Sequence, residues 1–327
     1  MPSGKPEGEK GEDKLTTSTK RMVTISDLAM GKPQTAANLI MIPMSGNPAA
    51  ALSYILVDEA LRKKEVLVEE VSEGGTVPEI RVTNFSEKTV LVVDGTELVG
   101  AKQNRIVNAS FLLPPKSVTK VPVSCVEQGR WGYRGKTFGR SPHHAAHSIR
   151  KMNVMHHKET LKARKGYRSD QGKVWEAVTC MSHEMNAPTP TGAMHDVYEQ
   201  KRISFEEFEK KIRPVRGQTG AVFLVRGTFA GLDLFDRPAT LKSLFPKLLS
   251  AVAVETMMAG RREKGEPKTD RSQAEKVRKV LEEIAGSLFE KFEPIGVGED
   301  WRYEGKLSLG KALHFEGNLI HFSAFGK

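Results

Sequence analysis

Little in this 327-residue chain invites covalent or metal bracing: it contains two cysteines, Cys125 and Cys180, and no CxxC spacing. A disulfide framework and a cysteine zinc site are therefore excluded from the expected fold, and both thiols are expected to be free. No apolar run approaches the ~18 residues needed to cross a bilayer. The opening "MPSGKPEGEKGEDKLTTSTK" lacks the apolar centre of a secretory signal, so no membrane association and a cytoplasmic location are expected. Also missing are a Walker A sequence, a GxSxG elbow and a GxGxxG following a strand, which removes the familiar phosphate loops and nucleophile turns. No cofactor is expected.

What remains is an ordinary globular balance of 39% hydrophobic and 28% charged residues, with a formal charge of +10. That excess is localised. Between Arg130 and Arg168 lie eleven basic residues, Arg130, Arg134, Lys136, Arg140, Arg150, Lys151, Lys158, Lys162, Arg164, Lys165 and Arg168, against the single acid Glu159. Five of the nine histidines and the rings of Trp131, Tyr133, Phe138 and Tyr167 share the segment. Clustered positive charge with aromatics suits phosphate, on a nucleotide or on a polymer. A solvated basic helix face is the alternative.

Residues 1–22 carry almost nothing to bury and are expected to form a disordered tail before a single α+β domain, 23–327. "NLIMIPM" reads as a first strand. "YILVDEALRKK" (54–64) reads as a helix with Ile55, Leu56 and Ala60 toward the core. "VLVEEV", "PEIRVTN", "TVLVVD", "RIVNASFLL" and "SVTKVPVSC" follow as short strands, giving a mostly antiparallel sheet core. From Pro142 a helical, basic insertion is expected over about 140–215, its first helix opening on a Ser141 cap with proline at the first helical position. C-terminal elements follow: a strand at "GAVFLVRGTF", a helix with Phe245, Leu248, Leu249 and Val252 on one face, another carrying Val277, Val280, Leu281, Ile284 and Leu288, and final strands from "WRYEGKLSL" onward.

The most unusual stretch is "DGTELVGAKQNRIVN", Asp94 to Asn108, which packs mixed charge and carboxamides directly after the apolar "TVLVV". "TVLVV" is apolar on both faces, as in a central buried strand, so Asp94 emerges from it. Gly95 and Gly100 free the backbone for a turn. Arg105 to Leu112 is expected to run as one strand with Asn108 and Ser110 on the same face. Its neighbour "SVTKVPVSC" leads into "VEQGRW", so two polar loops, 94–105 and 124–134, are expected to meet at a sheet edge.

These two motifs, with "GAVFLVRGTFAGLDLF" and "GVGEDWRYEG", resemble the domain named for its association with ADP-ribosylglycohydrolases and rhodanese-phosphatases, over roughly residues 35–325. The matching positions are Asp94, Gly95, Glu97, Gly100, Lys102, Gln103, Asn104, Arg105 and Asn108, then Ser124, Cys125, Glu127, Gln128, Gly129, Arg130 and Trp131. The resemblance implies nucleotide- or NAD-derived metabolites by context and assigns no reaction.

Roles follow from chemistry. Lys102, Arg105 and Arg130 can clamp phosphate oxygens, or pair with Asp94, Glu97 and Glu127 to tie the loops together. Trp131 can stack a base or pack on the sheet. Gln103, Asn104, Asn108 and Gln128 suit ribose or base edges, or turn backbones. Glu97 and Glu127 are the acid–base candidates, being carboxylates near an apolar sheet edge. Cys125 reads as a buried small hydrophobe rather than a nucleophile. "HHAAH" places His143 and His147 four apart on the expected helix, but no supporting carboxylate accompanies them and no metal is expected. The expected function is binding of a soluble phosphorylated nucleotide-derived ligand related to ADP-ribose or NAD, with processing of that ligand left open and no reaction assigned. The alternative is nucleic-acid binding through 130–168.

Overall fold

A computed structural model describes residues 19–20, 25, 28–46, 52–75, 78–258 and 271–327. The fold is α+β with large antiparallel sheets, as the alternating short apolar runs require. The expected tail lies outside the described residues except for Thr19–Lys20, which pair with Phe289 and Glu290. The charged loop 260–270 lies outside the described residues as well. No helix among the described residues is long and apolar enough to cross a membrane.

The largest sheet is built around the strands Leu39–Ser45, Gly220–Val225, Thr228–Phe235, Asn318–Gly326 and Ser308–Phe315. Leu39 and Met41 enter one apolar cluster, while Ile40, Ile42 and Met44 enter another on the opposite face. The next strand divides the same way, Ala221 and Phe223 against Val222 and Leu224. Period-two alternation with apolar residues at every position means that both faces are covered. Helix Pro238–Met258 covers one, using Leu241, Leu244, Phe245, Leu248 and Val252. Helix Arg271–Gly286 covers the other with Val277, Val280, Leu281 and Ile284. Each such side chain contributes about 1.5–3 kcal/mol when fully buried. Leu288, expected on this second face, lies beyond the helix end and is exposed, since the chain has already turned toward the strand Phe289–Phe292.

A second sheet has the order Phe138–His144, Thr96–Gly100, Arg105–Val107, Ser117–Cys125, Glu79–Asn84, Val66–Glu70. A third places Thr89–Val92 between Phe111–Leu113 and Tyr54–Leu56, the last pairing being parallel. The "TVLV" strand is thus central, as its two-faced apolarity predicts.

Three expectations about element boundaries are corrected. Tyr54–Leu56 is a strand and the helix is only Val57–Arg62, because the β-favouring Tyr-Ile-Leu run finds the edge of Thr89–Val92 to pair with. Arg105 to Leu112 is not one strand: it breaks at Asn108–Ser110, so Arg105–Val107 and Phe111–Leu113 belong to different sheets. Ser141 is not a helix cap. Phe138–His144 continues as an edge strand through Pro142, across a register irregularity between Arg140 and His144, where a missing N–H costs no ladder bond. The helix begins at His147, which places His143 and His147 on different elements.

Where the layers meet, a buried ionic cluster replaces apolar packing. Arg150, from helix His147–Lys162, contacts Asp94 Oδ2 through Nε at 3.0 Å and Asp233 through both terminal nitrogens at 2.9 and 2.7 Å. Lys311 Nζ lies 3.0 Å from Asp94 Oδ2, and His321 Nε2 lies 3.2 Å from Asp233 Oδ1. Burial alone would raise both aspartates, but Arg150 and His321, joined by Lys311 at Asp94, hold each well below the ordinary carboxylate range. Beside them His144 is pushed down to about 3 by burial and by Arg150, and burial also lowers His147 and His157.

The pH dependence follows in sign. The three histidines have folded values below their unfolded one, about 6.5, so the unfolded chain binds their protons first as pH falls. Each therefore withdraws stability below about pH 6.5, by up to about 1.4 kcal/mol per pH unit. The two aspartates add their loss below about pH 4, as pH drops from their unfolded toward their folded values. Thermal melting followed from pH 8 to pH 4 should show the midpoint falling from about pH 6.5 downward. A midpoint unchanged down to about pH 4 contradicts the neutral, buried state of these histidines.

Candidate functional site

The polar stretch begins where Thr89–Val92 ends. Asp94 is buried in the ionic cluster, and its side chain also accepts from Ser110 Oγ at 3.0 Å. Gly95 then turns with φ +83°, and a Cβ there would stand 2.8 Å from His144 Nε2 and 2.9 Å from Arg150 Cδ. Only glycine lets the chain pass between the cluster and the start of Thr96–Gly100. Gly100, at φ +117°, turns it again beside Thr137 O.

The two polar loops meet through Glu127. Its Oε1 accepts from Arg130 Nε at 2.8 Å and Thr191 Oγ1 at 2.9 Å, and its Oε2 from Asn104 N at 3.0 Å and Arg130 Nη2 at 2.6 Å. Burial would raise this carboxyl, yet Arg130, Asn104 and Thr191 bring it below its usual value. Arg130 continues to Ala101 O at 2.7 Å and Gly132 O at 2.8 Å. Gln103 Nε2 donates to Glu127 O at 2.8 Å. Asn108 is equally committed, donating to Tyr167 O at 2.9 Å and accepting from Ser124 Oγ at 2.8 Å. Cys125 is buried, with its thiol pushed up by that burial. Gln171, which opens helix Gln171–Glu184, makes two 2.8 Å hydrogen bonds to the Cys125 backbone and docks the helix there.

The rim of these loops is different. Lys102 Nζ lies 5.1 Å from the ring centroids of both Trp131 and Tyr133, whose side chains are half exposed, and it donates to Gly74 O at 2.7 Å. Arg105 sits beneath, fully buried, with its guanidinium 5.7 Å from the Trp131 ring and Nη1 donating to Gln103 Oε1 at 3.0 Å. Its Nε and Nη2 have no hydrogen-bond acceptor among the described residues, and the nearest carboxylate, Glu70, is 3.9 Å away. Gln128 is exposed on the outer side of its loop.

Glu97 faces a separate group of side chains. Ser141 Oγ donates to its Oε2 at 2.5 Å, and His195 Nδ1 lies 3.0 Å from the same oxygen. Glu97 raises His195 above the ordinary imidazole value. His143 Nε2 is 2.7 Å from Glu199 Oε1, and the His143 ring lies 5.0 Å from that of His195 and stacks on Tyr198 at 4.8 Å. Burial lowers His143. An imidazole oriented by a buried carboxylate can carry a proton or present its free nitrogen to a ligand.

The polar loops position this group. Met194 N donates to Val126 O at 2.9 Å, Gly129 N to Thr191 O at 2.7 Å, and Thr191 Oγ1 to Glu127. Helix Met194–Gln200, which carries His195 and Glu199, is therefore hung from the 124–134 loop. The sequence reading passed over His195 and Glu199, although "HDVYE" places them four apart on a short helix. It named His143 but paired it with His147, which instead reaches Ala230 O at 2.8 Å.

Glu127→Ala removes the acceptor for four donors and should cost about 3–5 kcal/mol in denaturant unfolding, the scale of a broken buried ion pair. Near-wild-type stability would contradict its role as the loop staple.

No match is found among curated proteins or solved structures. The family model described as the ARG and Rhodanese-Phosphatase-superfamily-associated Protein domain matches residues 27–325, taking in both polar loops, the ionic cluster and the Glu97 group, and the chain belongs to that family.

Proposed function

We propose that the protein binds a soluble phosphorylated, nucleotide-derived ligand at the rim of loops 94–105 and 124–134. One observation carries the reading: Lys102 stands 5.1 Å from two half-exposed rings, Trp131 and Tyr133, with one of its three N–H groups spent on Gly74 O. An ammonium beside exposed π faces suits a ligand that joins a phosphate to a base. ADP-ribose and NAD are the first candidates because the family is described by its association with ARG, the ADP-ribosylglycohydrolases. Of the residues singled out by sequence, Lys102 and Trp131 contact the ligand in this reading, with Tyr133 added and Gln128 at the outer edge. Asp94, Gln103, Asn104, Asn108, Glu127 and Arg130 shape the loops, Arg105 supports the ring of Trp131 from below, and Glu97, expected as an acid–base group, belongs to the His195 group and not to the rim.

The polymer-binding alternative draws less support from the fold. Five of the eleven basic residues in 130–168 face carboxylates: Arg130 and Arg134 face Glu127, Arg150 the two aspartates, Lys158 Glu304 and Lys162 Glu290. The charge that is continuous along the chain is thus partly neutralised in space.

Thermal-shift titration with ADP-ribose, NAD and AMP should find at least one stabilising ligand. Trp131→Ala and Lys102→Ala should melt close to the wild type and lose that shift. An intact shift in both variants, or no shift from any of the three compounds, overturns the reading. Salt-sensitive binding of RNA or DNA in place of these compounds would favour the polymer.

A further inference from the structure

We infer that His143, His195 and Glu199 form a binding site for one divalent transition-metal ion, zinc by donor type, with Glu97 orienting His195 from behind. One donor atom from each of the three residues lies within 4.8 Å of the other two. They come from two elements held independently: His143 from the edge strand Phe138–His144, His195 and Glu199 from one face of helix Met194–Gln200. Two imidazoles and one carboxylate make a donor set that zinc accepts with a fourth position left for water or substrate.

The Glu97 contact is what separates this group from a chance cluster. With His195 Nδ1 3.0 Å from Glu97 Oε2, the ring is fixed and Nε2 is left for coordination. A carboxylate behind a ligating histidine sets its tautomer and raises its basicity. Ser141 Oγ braces the same carboxylate oxygen at 2.5 Å. The second oxygen, Glu97 Oε1, is buried and has no hydrogen-bond partner among the described residues. A buried anion with an uncompensated oxygen is costly, and a cation held by the neighbouring imidazoles offsets that cost.

The geometry needs adjustment, since the three donor atoms lie within 4.8 Å of one another and must settle to a common spacing around the ion. Adjacent donors around tetrahedral zinc stand about 3.3 Å apart, given bonds of about 2.0–2.1 Å. His143 Nε2 and Glu199 Oε1 are 2.7 Å apart, so the carboxylate must withdraw slightly. Glu199 can do so because its side chain is 45% exposed, while His143 stays anchored against Tyr198. The site is independent of the nucleotide reading, since metal binding can be measured without any nucleotide.

The test uses the full chain, stripped with a chelator and titrated with Co2+ while visible absorption is followed, then with Zn2+ in competition. One equivalent of Co2+ should bind with the intense bands of a four- or five-coordinate ion, and Zn2+ should displace it. His195→Ala should abolish the bands. Glu97→Gln should weaken affinity by about 10–100-fold while leaving the bands in place, as the loss of a group behind a ligand does. His143 is buried and its replacement risks the fold, so Glu199→Gln, on the exposed side of the site, supplies the second decision and should weaken binding at least as much as Glu97→Gln. Far-ultraviolet circular dichroism verifies folding of each variant. No Co2+ binding at millimolar concentration, or binding unchanged in both His195→Ala and Glu199→Gln, overturns the proposal.

Discussion

Arg150 is shared between two buried carboxylates, and much of the molecule is arranged around that sharing. Its guanidinium reaches Asp94, at the end of a strand in the small sheet, and Asp233, in the large one. The helix that carries it is therefore tied to both layers at once. Two anions and one arginine would leave an excess of negative charge in the interior, and Lys311, 3.0 Å from Asp94, offsets it. Desolvating so many charges is expensive, so the cluster is weak as a source of net stability and strong as a specifier of geometry. Apolar side chains could fill the same space, but they would not fix the direction in which the chain leaves Asp94.

That direction matters because everything chemical follows from it. Gly95 turns tightly against His144 and Arg150, and the next strand delivers Glu97 to one side and Lys102 to its far end. Glu127 then fastens the second loop to the first, and Thr191 extends the fastening to the segment that carries His195. The mixed donors and acceptors of the two motifs are thus largely spent on one another. What they leave is Lys102, largely buried but 5.1 Å from two half-exposed aromatic rings at the rim, and a separate carboxylate-backed histidine group.

How much of this was legible in the sequence depended on range. Apolar period reads out locally, so the central "TVLV" strand, the double-faced strand Leu39–Ser45 and the helix bearing Leu248 and Val252 were all expected. The meeting of the two polar loops was expected too, although the strand before the first, Thr89–Val92, belongs to the three-stranded sheet and the strand before the second, Ser117–Cys125, to the six-stranded one. Edges failed: Pro142 read as a helix start because the edge strand that tolerates it is defined by a partner forty residues away, and "YIL" read as helix because its parallel neighbour was not visible. Pairing of charges failed for the same reason. Nothing near Arg150 in the sequence announces Asp94 or Asp233, and a basic segment looks like a binding surface until its carboxylate partners arrive from elsewhere. His195 and Glu199 did carry a local signal, four residues apart, but their meaning rests on Glu97 and His143 from other strands.

The central claim is that the buried sharing of Arg150 sets the architecture from which the loops and the histidine group hang. The most direct measurement compares the unfolding free energies of Arg150→Met, of the Asp94→Asn/Asp233→Asn double variant, and of all three changes together. Arg150→Met alone strands two carboxylates and should cost about 3–5 kcal/mol or more, whereas neutralising both aspartates in the same chain should recover a large part of that loss. An Arg150→Met protein as stable as the wild type, or a triple variant no better than Arg150→Met alone, would contradict the account.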